Sequence, residues 1–340
     1  MFKIFIAEPI LKTIIEDESK KTEASRSFLY KVLKERKTLY VAAAAPDKAW
    51  ADTLRTEHKI VVDYSRSDYI DNIKNRPETV LENPSSIFIL DIPIAEAEKI
   101  QTSFGVVCMS GKSLTTRFLI DTNDEHTVDE QEVFGNGWET VLKSVKGIPS
   151  NALLLTDRYL FSSTAPKYGN GIDNVKSILD VLLPKKFIGE YHVTIVFDNE
   201  NKSDNYKFDD IVYLLNNVKK ALRRDYPINL EILGITPDSD IYDELHNRRI
   251  VSNYYIIKVE HKLAAFNKNV STCLQTITPQ VLFTVDSLNK NSTPPLKAID
   301  HAIATIRDFS NTAPNNNDYY YALNGKRMEK CMGIINRLLK

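Results

Sequence analysis

The chain has 340 residues, 43% of them apolar and 26% charged, with a formal net charge of −1. That length buries at least one large core and more readily two, and the composition is that of an ordinary globular protein. The near-zero charge excludes a global electrostatic pull toward nucleic acid or an acidic membrane, so any such contact must come from a local patch. In the first 150 residues, KIFIA (3–7), TLYVAAA (38–44), KIVVDY (59–64), SIFILDI (86–92) and FGVVCMS (104–110) read as strands. ASRSFLYKVLKER (24–36), DKAWADTLRTEH (47–58) and AEAEKIQTSF (95–104) read as the helices between them. Near-continuous apolar strands separated by helices predict a mostly parallel α/β sheet covered on both faces. DTNDEHTVDEQE (121–132) is expected as a loop and FGNGWETVLKSV (134–145) as a closing helix, with Gly147 and Pro149 punctuating a linker at KGIPSN (146–151).

A second α/β series opens at ALLLTDRYLF (152–161), a strand ending on Asp157 and Arg158. The loop SSTAPKYGNG leads to helix IDNVKSILDVLL, strand YHVTIVF and helix FDDIVYLLNNVKKALRRD. In that last helix Ile211, Leu214, Leu215, Val218 and Leu222 recur at helical spacing, which predicts one buried stripe. Strand NLEILGI and a strand pair around HNRR follow. The tail beyond 275 is expected to be helical at PPLKAIDHAIATIRDF and GKRMEKCMGIINRLL, with an Asn-rich loop between them. The fold class is therefore α/β, with an N-terminal α/β domain over 1–148, a second domain over 149–275 and a helical tail over 276–340.

Several chemistries are absent from the pattern. GKS at Gly111–Ser113 lies one residue out of register with the glycine of a phosphate loop, because the preceding glycine is Gly105. Neither GNG tripeptide extends to a dinucleotide fingerprint. The histidines (His58, His126, His192, His246, His261, His301) never pair at i, i+4, and Cys108, Cys273 and Cys331 form no CxxC, so neither metal nor cofactor is expected. The first 18 residues lack the basic and small-residue flanks of a signal peptide, and no segment holds the roughly 20 apolar residues of a membrane span. The expectation is an intracellular, reduced protein.

The stretch LHNRRIVSNYYIIKVEHKLAAF (245–266) carries the sharpest signal. His246 and Arg248 are two apart, so on a strand both would leave one face, and Asn253 completes H-x-R-x4-N. A histidine with a cation that holds phosphate bidentately suits phosphodiester chemistry. Asp157 and Arg158, at the C-terminal end of a strand, occupy the position where open α/β sheets bind ligands, although an internal ion pair is the plainer reading. Lys219, Lys220, Arg223 and Arg224 concentrate cations on one helix; such a run is usually a solvated face, and it could equally hold phosphates or anionic lipid.

H-x-R-x4-N is one step from the H-x-K-x4-D motif of the phospholipase D superfamily. Residues 150–267 resemble the phospholipase-D-like C-terminal domain of MIT-domain proteins and of related bacterial proteins. Asp157-Arg158-Tyr159-Leu160 is similar to that family's opening D-P-Y-I, and His246, Arg248, Ile250, Asn253, Ile257, Lys258, Leu263 and Phe266 match its later segment. Asn247 stands where the family has Asp, and Val259-Glu260-His261-Lys262 replaces its glycine-containing turn. The resemblance covers about a third of the chain, and it includes no MIT helical bundle. It implies a phospholipase-D-like domain that binds or assembles rather than cleaves, self-associates as a homodimer and meets phosphodiester ligands through His246, Arg248, Lys258 and the 219–224 cluster. Bacterial members of the superfamily serve as nucleases and in genome defence. A bacterial, cytoplasmic component binding nucleic acid is thus the leading expectation. An active dimeric nuclease with His246 as nucleophile, Arg248 as phosphoryl clamp and Asn253 in support is the second. A non-catalytic protein-interaction subunit is the third.

Overall fold

The structure, a computed structural model, describes residues 3–16, 33, 38–114, 125–161, 170–198, 208–237, 242–282, 294–311, 319–322, 326–328 and 335–340. It divides into two compact units, Met1–Thr122 with Leu282–Pro294, and Asn123–Val281 with Pro295–Lys340. The boundary therefore falls near residue 122 rather than 148. The segment read as a loop contributes β6 (His126–Val128), which pairs with a strand of the second unit. The helix expected over 134–145 is only α5 (Trp138–Val141). There Trp138 Nε1 donates to Asn174 Oδ1 at 2.6 Å, and both side chains are buried, so residues 125–148 belong with the second core.

The first unit holds β1 (Ile4–Ala7), β2 (Thr38–Ala42), β3 (Val61–Asp63), β4 (Ile87–Leu90) and β5 (Val107–Ser110) in a five-stranded sheet of order β3-β2-β1-β4-β5. All its pairs are parallel, as near-continuous apolar strands demand. Helices α1 (Glu8–Glu16), α2 (Lys48–Thr53), α3 (Ser67–Asn72) and α4 (Ile94–Phe104) accompany it. α3 has no counterpart in the sequence reading, and the helix expected over 24–36 lies outside the described residues apart from Leu33. Gly111 of the GKS tripeptide is a packing residue: a Cβ there would sit 2.4 Å from Ile10 Cδ1.

The second unit is built on a mixed sheet of order β16-β15-β9-β8-β7-β10-β11-β14-β6. β7 (Ala152–Thr156), β8 (Tyr191–Asp198) and β9 (Ile228–Ile235) are parallel. They are joined through α6 (Gly171–Leu182) and α7 (Phe208–Ala221). β10 (Arg249–Ser252), β11 (Tyr255–Val259) and β14 (Gln275–Val281) add antiparallel on the other side of β7. A short hairpin, β12 (Phe266–Asn267) and β13 (Val270–Ser271), precedes β14. α8 (Pro294–Asn311) lays Ile299, Ala302 and Ile303 on a core shared with Leu154, Val196, Leu233 and Val251. The tail departs from the helical expectation: β15 (Tyr319–Ala322) and β16 (Lys326–Met328) form a hairpin on β9. Tyr-rich β15 has the aromatic character that strands favour. Among the described residues no helix is long and apolar enough to cross a membrane.

Candidate functional site at the end of the first parallel strand

β7 lies between β8, which continues the parallel run, and β10, where the order reverses. The crevice outside the carboxyl end of such a strand is where open α/β sheets bind ligands. Asp157 and Arg158 follow β7 at this point. Asp157 is fully buried and accepts from Tyr159 N at 2.8 Å, folding the chain back in an Asx turn, and from Leu263 N at 2.6 Å. Arg248 Nε stands 4.0 Å from its other oxygen side, at Oδ1. The segments around Asp157, Arg248 and Leu263 thus meet at one carboxylate. Burial pushes the Asp157 carboxyl up to about 6, against the pull of the Leu263 and Tyr159 amides and of Arg248 and Lys262. With no exposure, Asp157 organises the crevice and does not itself meet a ligand.

Arg158 is held on several sides. Its Nε donates to Asp198 Oδ2 at 3.3 Å, its Nη2 to Tyr242 Oη and its Nη1 to His246 Nε2. The guanidinium carbon lies 4.3 Å from the Tyr242 ring centroid and 5.3 Å from that of Tyr159. Tyr242 Oη also donates to Asp198 Oδ2 at 2.8 Å, and burial with that carboxylate raises the phenol to about 12. Arg158 Nη1 can only donate, so Nε2 of His246 is the acceptor at this contact. The lone pair that a nucleophilic histidine would use is engaged by Arg158.

His246 is not on a strand: it ends a 3-10 turn, Tyr242–His246, and is exposed. The shared-face argument for His246 and Arg248 therefore fails, and the two meet through the backbone. Arg248 Nη1 donates to the His246 carbonyl at 3.1 Å and to the Glu260 carbonyl at 3.0 Å. Its guanidinium lies 5.8 Å from the Tyr159 centroid, and Nε has no hydrogen-bond partner among the described residues. Tyr159 thus stands between Arg158 and Arg248, with the His246 ring edge-on to it at 6.5 Å. Lys258 pairs in register with Arg249 and is exposed one position along from Arg248.

Two expected contributors are elsewhere. Asn253 follows the far end of β10, where its Oδ1 accepts from Asn151 N and its Nδ2 donates to Asn151 Oδ1, both at 3.0 Å. It fixes the start of β7 and takes no part in the crevice. Lys219 and Lys220 end α7, and Arg223 and Arg224 follow it just before β9, whose Ile228 pairs with Tyr191, the first residue of β8. The cluster therefore sits at the opposite edge of the sheet, about 25 Å away along a strand of this length. Arg224 is spent on the end of α6, donating to the Asp180 and Leu183 carbonyls and to Asp180 Oδ1. Lys219 is half-buried, and burial lowers its pKa; Lys220 and Arg223 are exposed.

Tyr159, Asp198 and Tyr242 belong to the crevice and were not singled out in the sequence. Asp198 had a signal, a carboxylate closing the apolar run YHVTIVF, just as Asp157 closes ALLLT. Glu231, inside the apolar run of β9 and buried, had one too. Among the described residues no group of three or more His, Cys, Asp or Glu could hold a metal ion. No protein-family model matches the chain, and no curated protein matches it.

Proposed function

We propose that the second unit binds a phosphate-bearing ligand at the carboxyl end of β7, nucleic acid ahead of lipid, and does not cleave it. The observation that carries this reading is the gathering of Arg158, Arg248 and His246 around Tyr159, outside a buried carboxylate that fixes all three segments. Arg248 is the cation whose Nη1 meets only two backbone carbonyls among the described residues, while its buried Nε faces Asp157. An aromatic ring beside arginines suits a base next to a phosphate, which favours nucleic acid over a bare headgroup. Against turnover stand the occupied Nε2 of His246 and the distance of Asn253. The bacterial, phospholipase-D-like and genome-defence context of the resemblance is part of this proposal.

Fluorescence anisotropy with a labelled single-stranded oligonucleotide, across a salt series, tests it. Binding is expected to weaken with salt, and Arg248→Ala to flatten the slope by about 0.7 for the one phosphate lost. A complex that is insensitive to salt, or unchanged by Arg248→Ala, would refute the reading. The same protein, freed of metal, is expected to leave the oligonucleotide intact; cleavage that disappears in His246→Ala would establish the nuclease instead. Self-association follows from the resemblance alone, and sedimentation equilibrium would show whether the species is a dimer.

A further inference from the structure

Away from the crevice, on the sheet face that α8 covers, a short segment of this chain is bound much as a peptide ligand would be. The backbone amides of Ile335 and Asn336 both donate to one buried carboxylate, Glu231, at 2.6 and 3.2 Å. The Asn336 side chain is fully buried and donates to Leu153 O and Thr194 Oγ1, each at 2.9 Å. Thr194 in turn donates to Glu231 Oε2 at 2.9 Å. Beyond it Leu338 and Leu339 enter the apolar cluster under α8, and Arg307 of that helix donates to the Leu338 carbonyl at 3.2 Å. The segment thus supplies donors to a carboxylate in the middle of a buried strand, where a charge needs them.

Between these anchors, the amide of Arg337 donates to Nδ1 of His192 at 3.0 Å. That bond requires Nδ1 without a proton, so the docked segment accepts only the neutral ring. The neutral ring then carries its proton on Nε2, 3.3 Å from the Arg337 guanidinium, and a second proton would have to occupy Nδ1, where it would face the Arg337 amide. We propose that Ile335–Lys340 is a detachable ligand of this slot and that protonation of His192 releases it.

The charges around the ring act in one direction on balance. Burial, then Arg337 and Lys340, depress His192 to about 3, and a contact with the Ile335 backbone opposes them weakly. Among the described residues a carboxylate of Glu190 lies 3.8 Å from Nε2, and it also attracts Lys219 of α7. Glu231 accepts from the two amides and from Thr194, Arg307 donates to the Leu338 carbonyl, and Asn229, in register with His192, brings a neutral amide. With the segment detached the ring returns to an ordinary pKa near 6.5, so acid favours the open state. Between pH 7 and pH 5 the opening equilibrium should rise about 25-fold.

Hydrogen exchange of the intact chain reads this directly. The Arg337, Leu338 and Leu339 amides are compared with the central β8 amide of Ile195 at pH 7 and pH 5, after correction for intrinsic rates. The expected result is an increase at the segment of at least tenfold beyond that at Ile195. His192→Asn keeps an acceptor for Arg337 and cannot take a proton, so its segment should change less than about threefold, with Glu231 still in place. Equal increases at Ile195 would mean global unfolding and overturn the proposal. So would a flat wild type, or a His192→Asn chain as acid-sensitive as the wild type. None of these readouts involves the β7 crevice, so the result stands or falls separately from nucleic-acid binding.

Discussion

Asn253 shows how far a spacing can mislead. H-x-R-x4-N only approaches a catalytic pattern, and the residue serves Asn151 at the other end of β10 and is almost wholly buried. Placing a carboxylate at this position is therefore a poor route to activity. Asn253→Asp puts a charge in a site built for a neutral amide and removes the donor to Asn151 Oδ1. The expected outcome is a loss of about 1–3 kcal/mol in denaturant unfolding and no metal-free hydrolysis. A stable variant that cleaves would restore the catalytic reading. At the crevice, His246→Ala and Arg248→Ala should separate. His246 is already in contact with Arg158, whereas Arg248 carries a permanent charge whose Nη1 meets only two carbonyls. In anisotropy titrations the Arg248 variant is expected to lose about tenfold in affinity, on the order of 1.4 kcal/mol, and the His246 variant less than threefold. The reverse order would place the ligand on the histidine side of Tyr159.

Elements were legible where periodicity was strong. The strands of the first sheet, the parallel trio β7 to β9, the stripe of α7 and helix α8 all follow from apolar runs and helical spacing; Ile211, Leu215, Val218 and Leu222 are buried as expected, and Leu214 is half-buried. What failed was set by contacts distant in sequence. β6 is a three-residue edge strand that exists because β14 pairs with it, and no local pattern announces it. The tail hairpin owes its strands to β9, and the 3-10 turn that holds His246 is fixed by Tyr242 meeting Asp198 and Arg158. Of the site, the cations could be read and their convergence could not, since convergence follows from strand order. One glycine is likewise explained only in three dimensions. Gly171 opens α6 against the end of β7, and a Cβ there would lie 2.0 Å from the Leu160 carbonyl and 2.8 Å from Phe161 Cδ1. Gly171→Ala must displace the turn that carries Arg158 and Tyr159. It is expected to cost about 1–3 kcal/mol in a denaturant titration and to weaken ligand binding with it. A neutral effect on both would mean that this junction yields without disturbing the crevice.

For the second unit as a whole, two buried groups pull stability in opposite directions with pH. Asp157 has a folded pKa of about 6, above an ordinary carboxyl, so folding takes up a proton between roughly pH 4 and 6. Its contribution is therefore most favourable at low pH and is lost as pH rises through 6. His192 is the reverse case: its folded pKa of about 3 lies below an ordinary imidazole, so its contribution is present above about 6.5 and is lost on acidification. On going from pH 7 to pH 5, Asp157 alone should add about 1 kcal/mol and His192 alone should remove about 2 kcal/mol. The two nearly cancel, and the wild type is expected to lose only about 1 kcal/mol over that interval. His192→Asn removes the destabilising half, so its stability should rise, not fall, between pH 7 and pH 5. Asp157→Asn removes the other half, and its loss over the same interval should approach 2 kcal/mol. Urea unfolding of wild type and both variants at pH 5, 6 and 7, followed by a probe in the second unit, distinguishes these slopes. Parallel curves for all three chains would show that neither residue carries the proton linkage, and that the acid response of this unit arises in exposed carboxylates instead.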